Sequence, residues 1–198
     1  MIEWTGGKGQ PSHDNCNTHV IPMDRNVHHP EESALSLEDQ KLLESAEGYY
    51  MLGQLPEVLV ELENVSPHGR RDRRYLLRTA SALWGLGKFN EALVHIETLL
   101  RNYPLHEGAR GMKAMLFTHT GRHREAYETL QEAVALFPHN SAHRYDLGRA
   151  AAKLGMWDEA RRWIQSAISI RGLMKTFALA NEELAPIHAD IKAMPLMN

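Results

Sequence analysis

The residues able to do chemistry in this 198-residue chain are mostly histidines, of which there are twelve. His13, His19, His28 and His29 share the first thirty residues with the single cysteine, Cys16. A zinc site there would need three or four ligands held tetrahedrally by a core. The segment has no periodic apolar framework, so no metal is expected. His119 and His123 straddle a glycine, and His139 and His143 flank Asn140-Ser141. Neither pair lies on one uninterrupted helix, as ligation from adjacent turns requires. His95 and His188 have no obvious partners. Thr5-Gly6-Gly7-Lys8-Gly9 imitates a phosphate loop, but Gly9 stands where the hydroxyl residue belongs, and no strand or helix flanks it. No Ser or Cys lies in a nucleophile elbow or dyad. Glu182-Glu183 resembles the paired carboxylates common on solvated helix faces. The reading is therefore non-enzymatic, with no catalytic residues, no metal and no cofactor.

Composition reads as that of an ordinary soluble globular chain. Charged residues are 24% of the chain, hydrophobic residues 43%, and the formal net charge is -3. Such a balance gives no overall pull toward nucleic acid or an anionic membrane. The basic run Gly69-Arg70-Arg71-Asp72-Arg73-Arg74 has no second patch of equal density and reads as a loop and helix start. No window approaches the roughly 20 apolar residues that span a bilayer. One cysteine cannot form an internal disulfide, and Met1–Gln10 lacks a basic start followed by an apolar run. The expected location is the cytoplasm.

What organises the chain is a period. Gly53, Gly87, Gly121 and Gly155 recur at one unvarying interval. The same step carries Ala46, Ala80, Ala114 and Gly148, then Val58, Ala92, Ala126 and Ala160. It also carries Leu62, Ile96, Leu130 and Ile164, then Val65, Leu99, Ala133 and Ala167. The glycines suit a left-handed turn that ends a first helix. The small residues suit close approach of two helices, and the large apolar columns fill the space between hairpins. Pro104 and Pro138 stop second helices. Within one unit, Leu76, Ala80, Leu83 and Trp84 follow helical spacing, and so do Ala92, Ile96, Leu99 and Leu100.

These columns resemble the tetratricopeptide repeat family, and in particular its small bacterial-type members. The family pattern is W-x2-L-G-x2-Y, A-x3-F and P, and its characteristic period is the step that separates these glycines. The fourth unit matches best, through Leu147-Gly148 and Gly155-Met156-Trp157-Asp158-Glu159-Ala160 with Ile164. Gly87-Lys88-Phe89-Asn90-Glu91-Ala92 and Gly121-Arg122-His123-Arg124-Glu125-Ala126 mark the second and third. The first is degenerate, at Gly53-Gln54-Leu55-Pro56-Glu57-Val58, and its second helix is expected to end at Ser66-Pro67-His68-Gly69, with 66–72 absorbing the shortfall.

The expected fold is all-α, an alpha-alpha superhelix of four helix-turn-helix repeats plus a C-terminal capping helix. Repeats are placed at about 39–72, 73–106, 107–140 and 141–174, with the cap at about 175–194. The repeat domain as a whole is placed at 36–194. Ser36-Leu37-Glu38-Asp39 can cap its first helix. Phe177, Leu179, Leu184, Ile187 and Ile191 are available to cover the last hairpin. Residues 1–35 are expected to be a disordered tail, with Met23 a candidate native start.

The resemblance implies that first helices line a concave surface. Its positions are Gln40, Leu43, Glu47 and Tyr50; Arg74, Leu77, Ser81 and Trp84; Gly108, Gly111, Met115 and Thr118; Ala142, Tyr145, Arg149 and Ala152. Tyr50, Leu77, Trp84, Met115 and Tyr145 would form an apolar strip rimmed by Arg74, Arg78 and Arg149. The alternative packs Trp84 inside its own hairpin and Tyr145 against the third unit. Glu44 and Glu47 depart from the subtype that clamps a terminal carboxylate. The implied partner is a protein segment, peptide or helix, with apolar anchors and some acidic residues. A dedicated chaperone for one client and a self-assembling element are the alternatives, and homo-oligomerisation stays open.

Overall fold

A computed structural model describes residues 35–195. The expectations placed on the tail, its histidines, Cys16 and Met23 lie outside the described residues. Four helical hairpins follow one another: α1 (Leu37–Met51) with α2 (Leu55–Glu63), α3 (Arg73–Gly85) with α4 (Phe89–Asn102), α5 (Glu107–His119) with α6 (His123–Leu136), and α7 (Ser141–Lys153) with α8 (Trp157–Ile170). Each helix packs most extensively against its hairpin partner and next against the adjoining unit. No strand occurs among the described residues.

Each hairpin turns by the same backbone device. Gly53, Gly87, Gly121 and Gly155 have φ of 72°, 74°, 75° and 73°, a region that costs an L side chain about 1–2 kcal/mol. In the second unit, Gly87 N–H donates to Trp84 C=O and Lys88 N–H to Leu83 C=O, both at 2.8 Å. Those two bonds define the Schellman closure, which satisfies carbonyls left unpaired at a helix end. Equivalent pairs close the other three turns.

First helices begin on side-chain caps. Ser36 Oγ accepts from Asp39 N–H at 3.0 Å. Asp72 Oδ1 accepts from Arg74 N–H at 2.7 Å, His106 Nδ1 from Ala109 N–H at 3.1 Å, and Asn140 Oδ1 from His143 N–H at 2.9 Å. Asp72, His106 and Asn140 stand one repeat period apart. Chemically different residues thus fill one capping position.

The repeat columns are the core. Ala46, Ala80 and Ala114 are buried, as are Leu62, Ile96, Leu130 and Ile164. Burying each of the large aliphatic side chains contributes roughly 1.5–3 kcal/mol. At Gly148 the helices are closer still, since a Cβ there would lie 2.8 Å from Ile164 Cδ1 and Cγ1.

The short α2 is compensated as expected. A 3-10 turn at Gly69–Arg71 leads into α3. Buried Asp39 of α1 accepts from Ser66 N–H at 2.8 Å and from Ser66 Oγ at 2.7 Å. The hydrogen bond from the Ser66 backbone leads the causes that hold its carboxyl below the ordinary value, against burial. A Cβ on Gly69 would meet Asp39 Cγ at 2.8 Å and Val65 Cγ1 at 2.7 Å, so the turn must carry glycine. Arg70, in the basic run, donates to the carbonyls of Val65 and Glu63 and ties down the end of α2.

The C-terminal cap is built from short pieces. It comprises α9 (Met174–Ala180), a 3-10 segment Glu182–Ile187 containing Pro186, and α10 (His188–Ala193). Leu184, Ile187 and Ile191 are buried as foreseen, and Met174 and Ala178 join them. Leu179 is only partly buried, and Phe177 is half exposed, so it does not cover the hairpin. Lys175 Nζ donates to the carbonyls of Lys192 and Met194 at 2.9 and 2.6 Å, which holds α10 to α9. His188 does have a partner: its Nε2 lies 3.0 Å from Asn181 O. His95 sits edge-on to Tyr75 at 6.3 Å.

Candidate protein-binding face

The capped first helices set their side chains against one another across unit boundaries. Arg78 of α3 reaches Glu47 of α1 and lies 4.0 Å above the Tyr50 ring. Trp84 of α3 meets His119 of α5 edge-on at 5.2 Å, and Phe89 at 6.4 Å. His119 stacks on Phe89 at 4.9 Å. Trp84 is therefore partly buried between its own hairpin and the next unit.

A depression opens between α5, α7 and the cap, lined by Met115, Thr118, His119, Asp146, Arg149, Lys153 and Glu183 among others. Met115 is 41% exposed there, a large apolar side chain in water among the charged residues that line the depression. Arg149 donates to Glu183 at 3.0 and 3.1 Å and to Asp146 at 3.4 Å. Lys153 Nζ is 2.9 Å from Glu183. Burial raises the Asp146 carboxyl above its ordinary value despite Arg149. Burial also pushes Glu183 upward, but the Lys153 and Arg149 contacts outweigh it and hold that carboxyl low. Desolvation opposes the charge of Arg149, and its carboxylate partners, Glu183 first, more than restore it.

The eight residues singled out from sequence fall into separate groups. Tyr50 and Arg78 form one stacked pair, with Leu77 partly buried against the core. Trp84 packs on the core beside Phe89 and His119, and Met115 lines the depression. Tyr145 and Arg149 meet at the cap end, the guanidinium 5.9 Å from the ring centre. Arg74 is turned to its own helix cap, 3.3 Å from Asp72. Tyr145 reaches the cap through its hydroxyl, which donates to Phe177 O at 3.4 Å and accepts from Asn181 Nδ2 at 3.2 Å. Of the other positions carried over for this face, Leu43 and Ala152 are buried in the core. Glu183 was missed as a site residue, although it stands one repeat period after Arg149 and so continues that column into the cap.

Among the described residues no group of three or more His, Cys, Asp or Glu could hold a metal ion, and no helix is long and apolar enough to cross a membrane. Two tetratricopeptide repeat family models match, over residues 77–139 and 117–171. Comparison with curated proteins gives no match. Among solved structures, MamA 41-end from Desulfovibrio magneticus RS-1 is similar at TM-score 0.69 and 18% identity, covering 81% of this chain and 94% of that one. A MamA RS-1 double mutant gives 0.71 at 18% identity, covering 81% and 92%. PilF from Pseudomonas aeruginosa gives 0.66 at 16% identity, covering 79% and 70%. At these identities the likeness is one of fold. The two overlapping family models, together with the four-hairpin array described above, place residues 77–171 in the tetratricopeptide repeat family.

Proposed function

We propose that the first-helix face is the groove by which this protein, a non-catalytic cytoplasmic scaffold or adaptor, takes a peptide or helix of a partner protein. Tyr50, Leu77, Trp84, Met115 and Tyr145 supply the apolar contact, and Arg74, Arg78 and Arg149 form its rim. The observation that carries the reading is Met115, an apolar side chain 41% exposed among the residues that line the depression between α5, α7 and the cap. An apolar anchor seated there would displace water from the Met115 thioether, with His119 as a neighbour and Trp84 edge-on to that imidazole ring.

The rim arginines bear on the partner's chemistry. Arg78 is held by Glu47, and Arg149 by Glu183 and Asp146. An acidic residue of a partner must compete with carboxylates already in place, so acidic residues refine orientation more than they add affinity.

A second reading, self-assembly, draws on apolar side chains left exposed at both ends of the array. These are Leu37, Met51 and Leu52 at the first hairpin and Leu173 and Phe177 at the cap. Unlike surfaces that meet head to tail would give open chains of molecules.

The test is co-purification from the source cell with the tagged protein and with Met115→Glu as parallel baits, after circular dichroism shows equal helicity. The expected result is a partner protein held by the parent, lost by the variant and retained through moderate salt. A partner held equally by both would overturn the groove. Recovery of the untagged chain itself by both baits would favour self-assembly.

A further inference from the structure

The N-terminal ends of α5 and α7 bring two histidines to one joint between the second, third and fourth units. Outside water reaches His106 at a surface hollow shared with Arg73, Tyr103, Pro104, Leu105, Glu107 and Gly108. Leu105 beside it is 68% exposed, so the hollow is open. His106 Nδ1 accepts the Ala109 amide. An imidazole accepts a hydrogen bond only through an unprotonated nitrogen. Asp72 and Asn140, in the corresponding positions of neighbouring units, cap with oxygens that need no such condition.

One residue along α5, Glu107 faces the second histidine. Asn140 Nδ2 donates to Glu107 Oε1 at 2.6 Å, and His143 Nε2 lies 3.9 Å from the same oxygen. His143 is 5% exposed, packed beneath Gly111 of α5 and 6.1 Å from the Phe137 ring. Its Nε2 is buried with no hydrogen-bond partner among the described residues. A Cβ at Gly111 would stand 3.2 Å from His143 Cε1, so the two helices touch through this ring.

We propose that this joint is an acid-sensitive latch: with both imidazoles neutral, α5 is capped and packed on α7, and protonation releases the start of α5. At His106 a proton removes the acceptor and adds a positive charge to a helix N-terminus, where the dipole disfavours it. At His143 a proton places charge in a buried site. Burial holds the His143 imidazole below its ordinary value, with Glu107 opposing and Arg110 assisting. The other charges facing the joint are Arg73 and Glu107 beside His106, and Arg110, itself paired with Glu132 of α6. Glu107 alone offers relief to an imidazolium, and its Oε1 already accepts from Asn140. The sign follows. A depressed folded value means the unfolded chain takes up the proton more readily, so stability is present above about pH 6.5 and is lost as the pH falls below it. The latch stands or falls independently of what the first-helix face binds.

The test uses the full chain and follows the Ala109 amide by NMR as the solution is taken from about pH 7.5 to about pH 5.5. Its resonance should titrate, and its hydrogen-exchange protection, corrected for intrinsic rate, should fall by about tenfold, the size of a lost cap. His106→Asn supplies the cap already used at Asn140 and should abolish that fall. In His106→Asn/His143→Gln the melting temperature should change less between the two pH values than in the parent. An Ala109 amide that does not titrate, or equal acid shifts in parent and double variant, would overturn the proposal. Should the double variant fail to fold, the Ala109 titration in the parent and in His106→Asn decides alone.

Discussion

Gly148 tests the packing of the fourth hairpin through a change of sign. A Cβ at this position would lie 2.8 Å from Ile164 Cδ1 and Cγ1, and 3.3 Å from the Ala160 carbonyl. Carbon atoms in ordinary contact sit at about 3.5–4.0 Å. Ile164 is fully buried, and the Ala160 carbonyl belongs to the backbone of α8, so neither has free space to give. Gly148→Ala therefore sets two effects against each other. Alanine in a helix interior gains about 1 kcal/mol over glycine. Overpacking costs about 1–3 kcal/mol. The net expectation in the parent is destabilisation by up to about 2 kcal/mol. In an Ile164→Ala background, which itself costs about 2–5 kcal/mol, both clashing atoms are gone. The same Gly148→Ala change should then stabilise by up to about 1 kcal/mol, reduced by whatever the remaining 3.3 Å approach to the Ala160 carbonyl costs. Urea titration followed by far-UV circular dichroism on the four proteins gives the coupling term. Equal effects of Gly148→Ala in the two backgrounds would show that the helices do not approach here as described, and the close α7–α8 contact would have to be abandoned.

Two further expectations concern the first unit and the turns. Asp39→Ala removes the acceptor for both Ser66 donors and should cost about 3–6 kcal/mol, at roughly 1.5–3 for each bond to a charged group; Asp39→Asn, which keeps one carbonyl acceptor, should cost less in the same urea titration. Because the folded carboxyl is held below its ordinary value, this contribution is present above about pH 4 and is lost as the pH falls further, so the parent's acid limb should be steeper than that of Asp39→Asn. At Gly121 nothing lies within 4 Å of an added Cβ, yet φ is +75°. Gly121→Val should therefore lower stability by about 1–2 kcal/mol through backbone strain alone, and Gly121→Asn by less. Equal melting temperatures for the two variants would contradict a purely conformational cost.

The repeat was legible because it rests on local rules applied four times. A left-handed turn wants glycine, a close helix contact wants a small side chain, and the fixed step places like beside like. Gly53, Gly87, Gly121 and Gly155 each satisfy those rules within a few positions of sequence. The capping column was harder to see. Asp72, His106 and Asn140 share geometry and not chemistry, so similarity of residue type does not reveal them. Arg110 and Arg144 also went unread, although they occupy one column, and each donates to the carbonyl of Pro104 or Pro138 and pins the junction loop.

The partners of the charged side chains on the binding face depended on distances that no local pattern encodes. Arg149 reads from sequence as a free rim cation and is instead held by Glu183, which arrives from the cap. Tyr145 turns to Phe177 and Asn181, while Phe177, apolar and of a type suited to the core, is left half exposed. The sequence by itself determined the helices, their turns and their order in the array, because backbone preference and apolar periodicity act over one or two turns. Only the tertiary structure decided which carboxylate meets which arginine, which histidine is buried and which methionine faces water. Those outcomes depend on how neighbouring hairpins and the cap are set against each other, across a whole repeat period of chain, where a shift of a few ångströms makes or breaks a contact.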